Sequence, residues 1–142
     1  MIILDTNVIS EAMQLSPSPA VLAWLAARPA FEFATTTINV AEVRFGLARL
    51  PYGRRRAERE ALFNNFVARS FGDRIFGFDG LAADTYGELV AARERRGRPL
   101  QGFDGLIAAI AASRGFELAT RNVSDFEGCG VPLINPWEAN AR

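Results

Sequence analysis

The chain has 142 residues, 49% of them hydrophobic and 23% charged, which is the size and composition of one soluble domain with its own core. Sixteen basic residues balance sixteen acidic ones, so no global field draws the protein toward nucleic acid, and any such pull must come from local clusters. Histidine is absent and every basic residue is an arginine, which excludes Ser-His-Asp and Cys-His catalysis, imidazole metal sites, Schiff-base lysines and the P-loop lysine, and leaves carboxylates to carry any chemistry.

The sequence opens on a short apolar run, Ile2 to Leu4, without a basic start, and no apolar run reaches the about 18 residues of a membrane span. A cytoplasmic protein of one domain, residues 1–142, without membrane contact is expected. The run passes at once into Asp5-Thr6-Asn7 and an apolar helical start at Val8 and Ile9, the pattern of a buried strand turning into a helix. Ser18-Pro19 starts a second helix that carries Val21, Trp24 and Leu25, and Pro29 ends it. Phe31 to Thr35 reads as the second strand. Thr36 or Thr37 caps a helix from Ile38 to about Leu50, whose apolar spacing predicts a core face of Ile38, Ala41, Phe45 and Ala48. A longer helix follows from Arg54 to Phe71, with Leu62, Phe63, Phe66 and Val67 inward and Arg54, Arg55, Arg56 and Arg59 at its exposed start.

A third strand is predicted at Ile75 to Phe78, and Asp79 caps a helix to Arg96 that Gly97 and Pro99 stop. The last long helix runs from Phe103 to Gly115, and strands at Phe116 to Ala119 and Val131 to Ile134 close the pattern. Cys129, between two glycines, can form no internal disulfide and reads as a small loop residue. Short apolar strands separated by helices predict an α/β fold with a parallel sheet and helices on both faces, where ligands sit at the carboxyl ends of the strands.

Six aspartates occur, and three stand where solubility does not explain them. Asp5 ends a buried strand and is either the cap of the next helix or a site residue. Glu42 lies on the edge of an apolar helix face, between Ile38 and Phe45, and is either paired with Arg44 or Arg49 or set toward a ligand. Asp104 opens an alanine-rich helix that can pack closely on the sheet, and Asp125 follows a strand in Thr120-Arg121-Asn122-Val123-Ser124-Asp125; each is a cap or a ligand. Taken together, carboxylates at strand ends with no histidine suit a hard divalent ion, Mg²⁺ or Mn²⁺. The arginines at 54, 55, 56 and 59 either bind RNA phosphates or form a solvated face neutralised by Glu58 and Glu60.

Four blocks, Leu4-Asp5-Thr6-Asn7 with Glu11, Thr37 to Glu42 with Gly46, Phe103 to Ala108, and Thr120-Arg121-Asn122 with Asp125-Phe126, resemble those of a PIN domain. With the closing Asn135-Pro136-Trp137 they resemble the VapC and FitB-like toxins of type II toxin-antitoxin pairs. The resemblance runs from residue 4 to 137. It implies a three-layer α/β/α sandwich with a mainly parallel central sheet, and a Mg²⁺- or Mn²⁺-dependent endoribonuclease. It further implies a homodimer that is inhibited by a cognate antitoxin, the antitoxin also binding operator DNA. By motif position Asp5, Glu42 and Asp104 match the family's metal-binding acids, and Thr6 the hydroxyl beside the first. Many relatives carry an acid where Asn122 stands, so Asp125 is the candidate fourth acid and Asn122 an auxiliary group. The alternative is a catalytically weak nucleic-acid-binding protein of the same fold, acting with an antitoxin at operator DNA.

Overall fold

Five short strands form one all-parallel sheet in a computed structural model that describes residues 1–138. Along the chain come β1 (Ile2–Leu4), α1 (Thr6–Ala12), α2 (Pro19–Ala26), a 3₁₀ turn (Ala30–Glu32), β2 (Phe33–Thr36), α3 (Thr37–Ala48) and α4 (Arg54–Ser70). There follow β3 (Ile75–Phe76), α5 (Gly80–Arg95), α6 (Asp104–Arg114), β4 (Glu117–Ala119), α7 (Val123–Phe126) and β5 (Leu133–Ile134). The caps fall where the sequence predicts them: the Thr36 hydroxyl accepts from Asn39 N at 3.1 Å, Asp79 Oδ1 from Ala82 N at 3.0 Å, and Gly115 ends α6 at a left-handed φ of 67°.

Side chains alternate across each strand, so a single strand feeds two cores. Ile2 and Leu4 join Val8, Ile9, Trp24, Phe33, Phe63 and Phe71 on one side of the sheet. Ile3 joins Ile107, Ile110, Leu118 and Phe126 on the other. Each fully buried side chain of this kind contributes about 1.5–3 kcal/mol over an exposed one, and these two clusters make the chain a helix–sheet–helix sandwich.

The face of α3 differs from the expectation. Ile38 packs against the second core as expected, but Phe45 is 64% exposed and Ala41 and Ala48 also face solvent, whereas Asn39 and Leu47 are buried with Val40, Val43 and Leu50 packed against the first core. The helix carries apolar residues on nearly every side, and its buried stripe is headed by a polar residue, Asn39, that hydropathy discounts. Leu62 is likewise 53% exposed, although Phe63 is fully buried and Phe66 and Val67 pack on the core as expected.

The strand order β3-β2-β1-β4-β5 places sequence neighbours β1 and β2 on one side and sends β4 to the other flank of β1. The order therefore reverses between β1 and β4, and the crevice at a reversal lies beyond the strands' carboxyl ends. Leu4 pairs with Ala119 there, so Asp5 and Thr120 emerge side by side.

Candidate active site

Asp5 is 6% exposed and held from three directions. Its Oδ1 accepts from Thr6 N at 2.8 Å and from Asn39 Nδ2 at 3.0 Å, and its Oδ2 accepts from the Thr120 hydroxyl at 2.7 Å. Asn39 is fixed in turn by the Thr36 hydroxyl, which donates to Asn39 Oδ1 at 2.6 Å, and Thr120 accepts from Asn7 Nδ2 and Asn122 N. Burial raises the Asp5 pKa, the hydrogen bonds pull it back, and the negative charge of Asp125 adds to the rise. Asp5 thus serves as the cap of α1 and more: three of its roughly four lone-pair sites are filled, and one on Oδ2 remains for a ligand.

Glu42 comes to this corner from α3 and pairs with neither Arg44 nor Arg49. Arg44 donates to Asn64 and lies over Phe63, while Arg49 lies over Phe45. Glu42 Oε1 instead accepts from the Thr6 hydroxyl at 2.8 Å, and Thr6 accepts from Asn39 Nδ2 at 3.0 Å. Burial raises its pKa, opposed by the Thr6 bond and reinforced by the charge of Asp5.

Asp104 sits in the first turn of α6 but caps nothing, and among the described residues its carboxylate accepts no hydrogen bond. Its placement depends on the next residue. A Cβ on Gly105 would lie 3.1 Å from Tyr86 and 3.2 Å from Val90, so glycine is what allows the start of α6 to close on α5. The Asp104 carboxyl is pushed up to about 6 by burial first, then by Asp5, Asp125 and Glu42, with Arg93 opposing. Asp125, exposed in the single turn of α7, belongs to the same electrostatic group as Asp5 and Asp104. Asn122 stands at the start of that turn, exposed, with its backbone N–H on Thr120 and no side-chain cap bond.

The structure therefore brings the charges of Asp5, Glu42, Asp104 and Asp125 into mutual repulsion at one end of the sheet. Among the described residues no three Asp, Glu, Cys or His side chains are already gathered into a compact metal cage. What they supply is oxygen donors with uncompensated charge, the chemistry of a hard divalent cation site. Asn39 and Thr120 carry no role in the sequence analysis, although both stand inside the motif blocks, and Thr36 enters it only as a helix cap. Their signal is burial of a polar side chain next to an acid, which a sequence does not display.

The four arginines of α4 separate. Arg54 pairs with Glu58 at 2.9 Å, and Arg56 pairs with Glu60 at 2.7 Å, stacks on Tyr52 and donates to the carbonyls of Ala48 and Leu50. Arg55 faces solvent. Arg59 lines a cleft of about 270 Å³ together with Thr6, Ser10, Gln14, Glu42 and Gly46, beside the acids.

Residues 2–127 match the profile of the PIN domain. The chain is 43% identical over 138 residues to a VapC ribonuclease of Sinorhizobium fredii, covering 97% of this chain and 99% of that protein. It is 34% identical over 137 residues to toxin FitB of Neisseria gonorrhoeae, covering 96% and 99%. Among solved structures, FitAB bound to a DNA fragment superposes with a TM-score of 0.91 at 33% identity, over 97% of this chain and 96% of that one.

Proposed function

The chain belongs to the PIN-domain family, among its VapC- and FitB-like toxins, and we propose that it is a Mg²⁺- or Mn²⁺-dependent endoribonuclease acting as the toxin of a type II toxin-antitoxin pair. One observation carries the metal-dependent chemistry: Asp104, without a hydrogen-bond donor, is pushed to about 6 beside three other acids. A cation relieves that repulsion, which Arg93 opposes without removing.

Asp5, Glu42, Asp104 and Asp125 would hold the ion. When bound, a divalent ion activates water and neutralises charge that builds on a phosphoryl group during in-line attack. Asp5 supplies a fixed reference point, because Thr6 N, Asn39 and Thr120 leave its carboxylate no alternative rotamer without breaking hydrogen bonds. Thr6 orients Glu42 by donating to Oε1, which leaves Oε2 turned to other partners. Asp104 contributes the carboxylate with the fewest commitments. Arg59, in the cleft next to Thr6 and Glu42, is placed to contact a phosphate of bound RNA, whereas Arg54 and Arg56 are engaged by glutamates and Arg55 contributes only exposed charge.

The partners follow from the same reading. In this reading a cognate antitoxin inhibits the protein and carries it to operator DNA, and the active form is a homodimer; FitAB, which this chain resembles, has been solved bound to a DNA fragment, which supports the DNA-bound complex. No helix among the described residues is long and apolar enough to cross a membrane, and we place the protein in the cytoplasm. Mixed RNA incubated with the purified chain in Mg²⁺ or Mn²⁺ should be cleaved, and the same reaction in EDTA or with Asp104→Asn should not. The amide at Asn122 and the open spacing of the acids favour the alternative of a weak, chiefly binding protein. RNA left intact in every metal, with the antitoxin–DNA complex still forming, would establish that alternative.

A further inference from the structure

Arg93, near the end of α5, is 3% exposed, and among the described residues it has no carboxylate within ion-pair distance. A guanidinium is almost never buried without compensation, so its donors must be satisfied by something built for them. Here that something is a set of carbonyls: Nε donates to Arg98 O at 2.7 Å, and Nη1 to Asp125 O at 3.1 Å and Glu127 O at 2.9 Å. Two neighbours extend the grip. Arg96 Nη1 donates to Gly128 O at 3.2 Å and Arg98 Nη2 to Ser124 O at 2.9 Å.

Apart from Arg98 O, which follows α5, these carbonyls lie on or just after α7, a helix of four residues. One turn has no stability of its own and leaves its last carbonyls without partners, so α7 exists only because tertiary contacts supply them. Phe126, 1% exposed, pins it from the core side, and Arg93 pins it from the backbone side. Between those two pegs stands Asp125.

We propose that Arg93 is a positioning residue for the metal site: by clamping the carbonyls of Asp125 and Glu127 it aims the Asp125 carboxylate at Asp5 and Asp104. The inference rests on the reading of Asp125 as a site acid. It gives α5 a function that no motif block includes. Outer groups that orient a metal ligand typically contribute about 10–100-fold to metal affinity, and that is the scale assigned here.

The test is Mn²⁺ affinity, read by calorimetry on the full chain, for wild type, Arg93→Met, Asp125→Asn and the double variant. Arg93→Met should weaken Mn²⁺ binding at least about tenfold, and in the Asp125→Asn background it should change affinity by less than about twofold, because its effect passes through Asp125. Arg93→Lys, with the charge but not the fork, should fall between wild type and Arg93→Met. Equal effects of Arg93→Met in both backgrounds, or none in a folded Arg93→Met protein, overturn the proposal. If Arg93→Met does not fold, the cycle is run with Arg93→Lys and with Arg98→Ala, which releases Ser124 O from the more exposed side, under the same criteria. A wild type that binds no Mn²⁺ defeats the metal reading itself, whereas tight wild-type binding with an indifferent Arg93 defeats only this inference.

Discussion

Asp5 receives three hydrogen bonds and is 6% exposed, whereas Asp104, in the first turn of α6, is half-buried and receives none among the described residues. Both end up at the carboxyl edge of one sheet, and both have raised pKa values, yet the causes differ in weight. At Asp5 burial acts against three donors, and at Asp104 burial and three acids act almost unopposed. The first corner is a scaffold that fixes geometry, and the second holds repulsion that a cation can discharge. A site built this way separates the work of positioning from the work of binding.

If both corners hold the ion, activity should not distinguish them. Asp5→Asn, Glu42→Gln and Asp104→Asn should each lower RNA cleavage by on the order of a thousandfold, the equivalent of about 4 kcal/mol of lost transition-state stabilisation. Gel-based cleavage of mixed RNA at matched protein concentrations measures it. Any one of these variants that keeps full activity breaks the shared-site picture at that residue.

Stability should then divide what activity does not. Asp5→Ala leaves the Asn39 amide and the Thr120 hydroxyl facing a buried hole, at about 1–3 kcal/mol for each unsatisfied group, so a loss of about 2–6 kcal/mol is expected in urea unfolding. Asp104→Ala abandons no donor and removes a repelled charge, so its loss should be near zero. Equal losses would mean that Asp104 is a structural residue after all.

A smaller effect sharpens the Asp104 side. Asp125→Asn should reduce cleavage by about tenfold, more than Asn122→Ala does, because a carboxylate holds a hard cation or its water better than an amide carbonyl. Asn122 in the structure has its backbone, not its side chain, tied to Thr120, which fits the lesser role. The reverse ranking would give Asn122 the catalytic place and leave Asp125 as an ornament of α7.

The scaffold and the open corner were not equally visible in the sequence. The five strands, the caps at Thr36 and Asp79, and the acids themselves can be read from residue order, because apolar runs, cap chemistry and misplaced charges are local signals. Asn39, Thr120 and Arg93 cannot, since each matters through a partner that is 34, 115 or 32 residues away. The α3 face shows the cost. With apolar residues all around the helix, the stripe headed by Asn39 loses to the one headed by Ile38 on hydropathy alone, and only the Asn39 bonds to Asp5 and Thr36 decide between them. α7 escapes for the opposite reason: four residues carry no periodicity, and its clasp comes from α5.

The smallest effects are thermal, and they test the stored repulsion directly. The folded protein raises the Asp104 carboxyl from 3.8 to about 6, so it holds that proton more tightly than the unfolded chain does. Stability from this group is therefore complete below about pH 4 and is lost as the pH rises toward 6. Asparagine resembles the protonated form. In EDTA the melting temperature of Asp104→Asn relative to wild type should thus climb between pH 4 and 6 and level off above about pH 7, the variant melting higher at neutrality. Mn²⁺ should narrow that gap. At tenfold above its dissociation constant it contributes about 1.4 kcal/mol to wild type, a rise of about 3 to 6 °C for a domain of this size, and less to a variant that lacks the ligand. A first-turn aspartate that merely complements the helix dipole would do the opposite, its replacement lowering the melting temperature in EDTA and in Mn²⁺ alike. Four melting curves, two proteins in two buffers at pH 7, separate a charge that waits for a cation from one that serves only its helix.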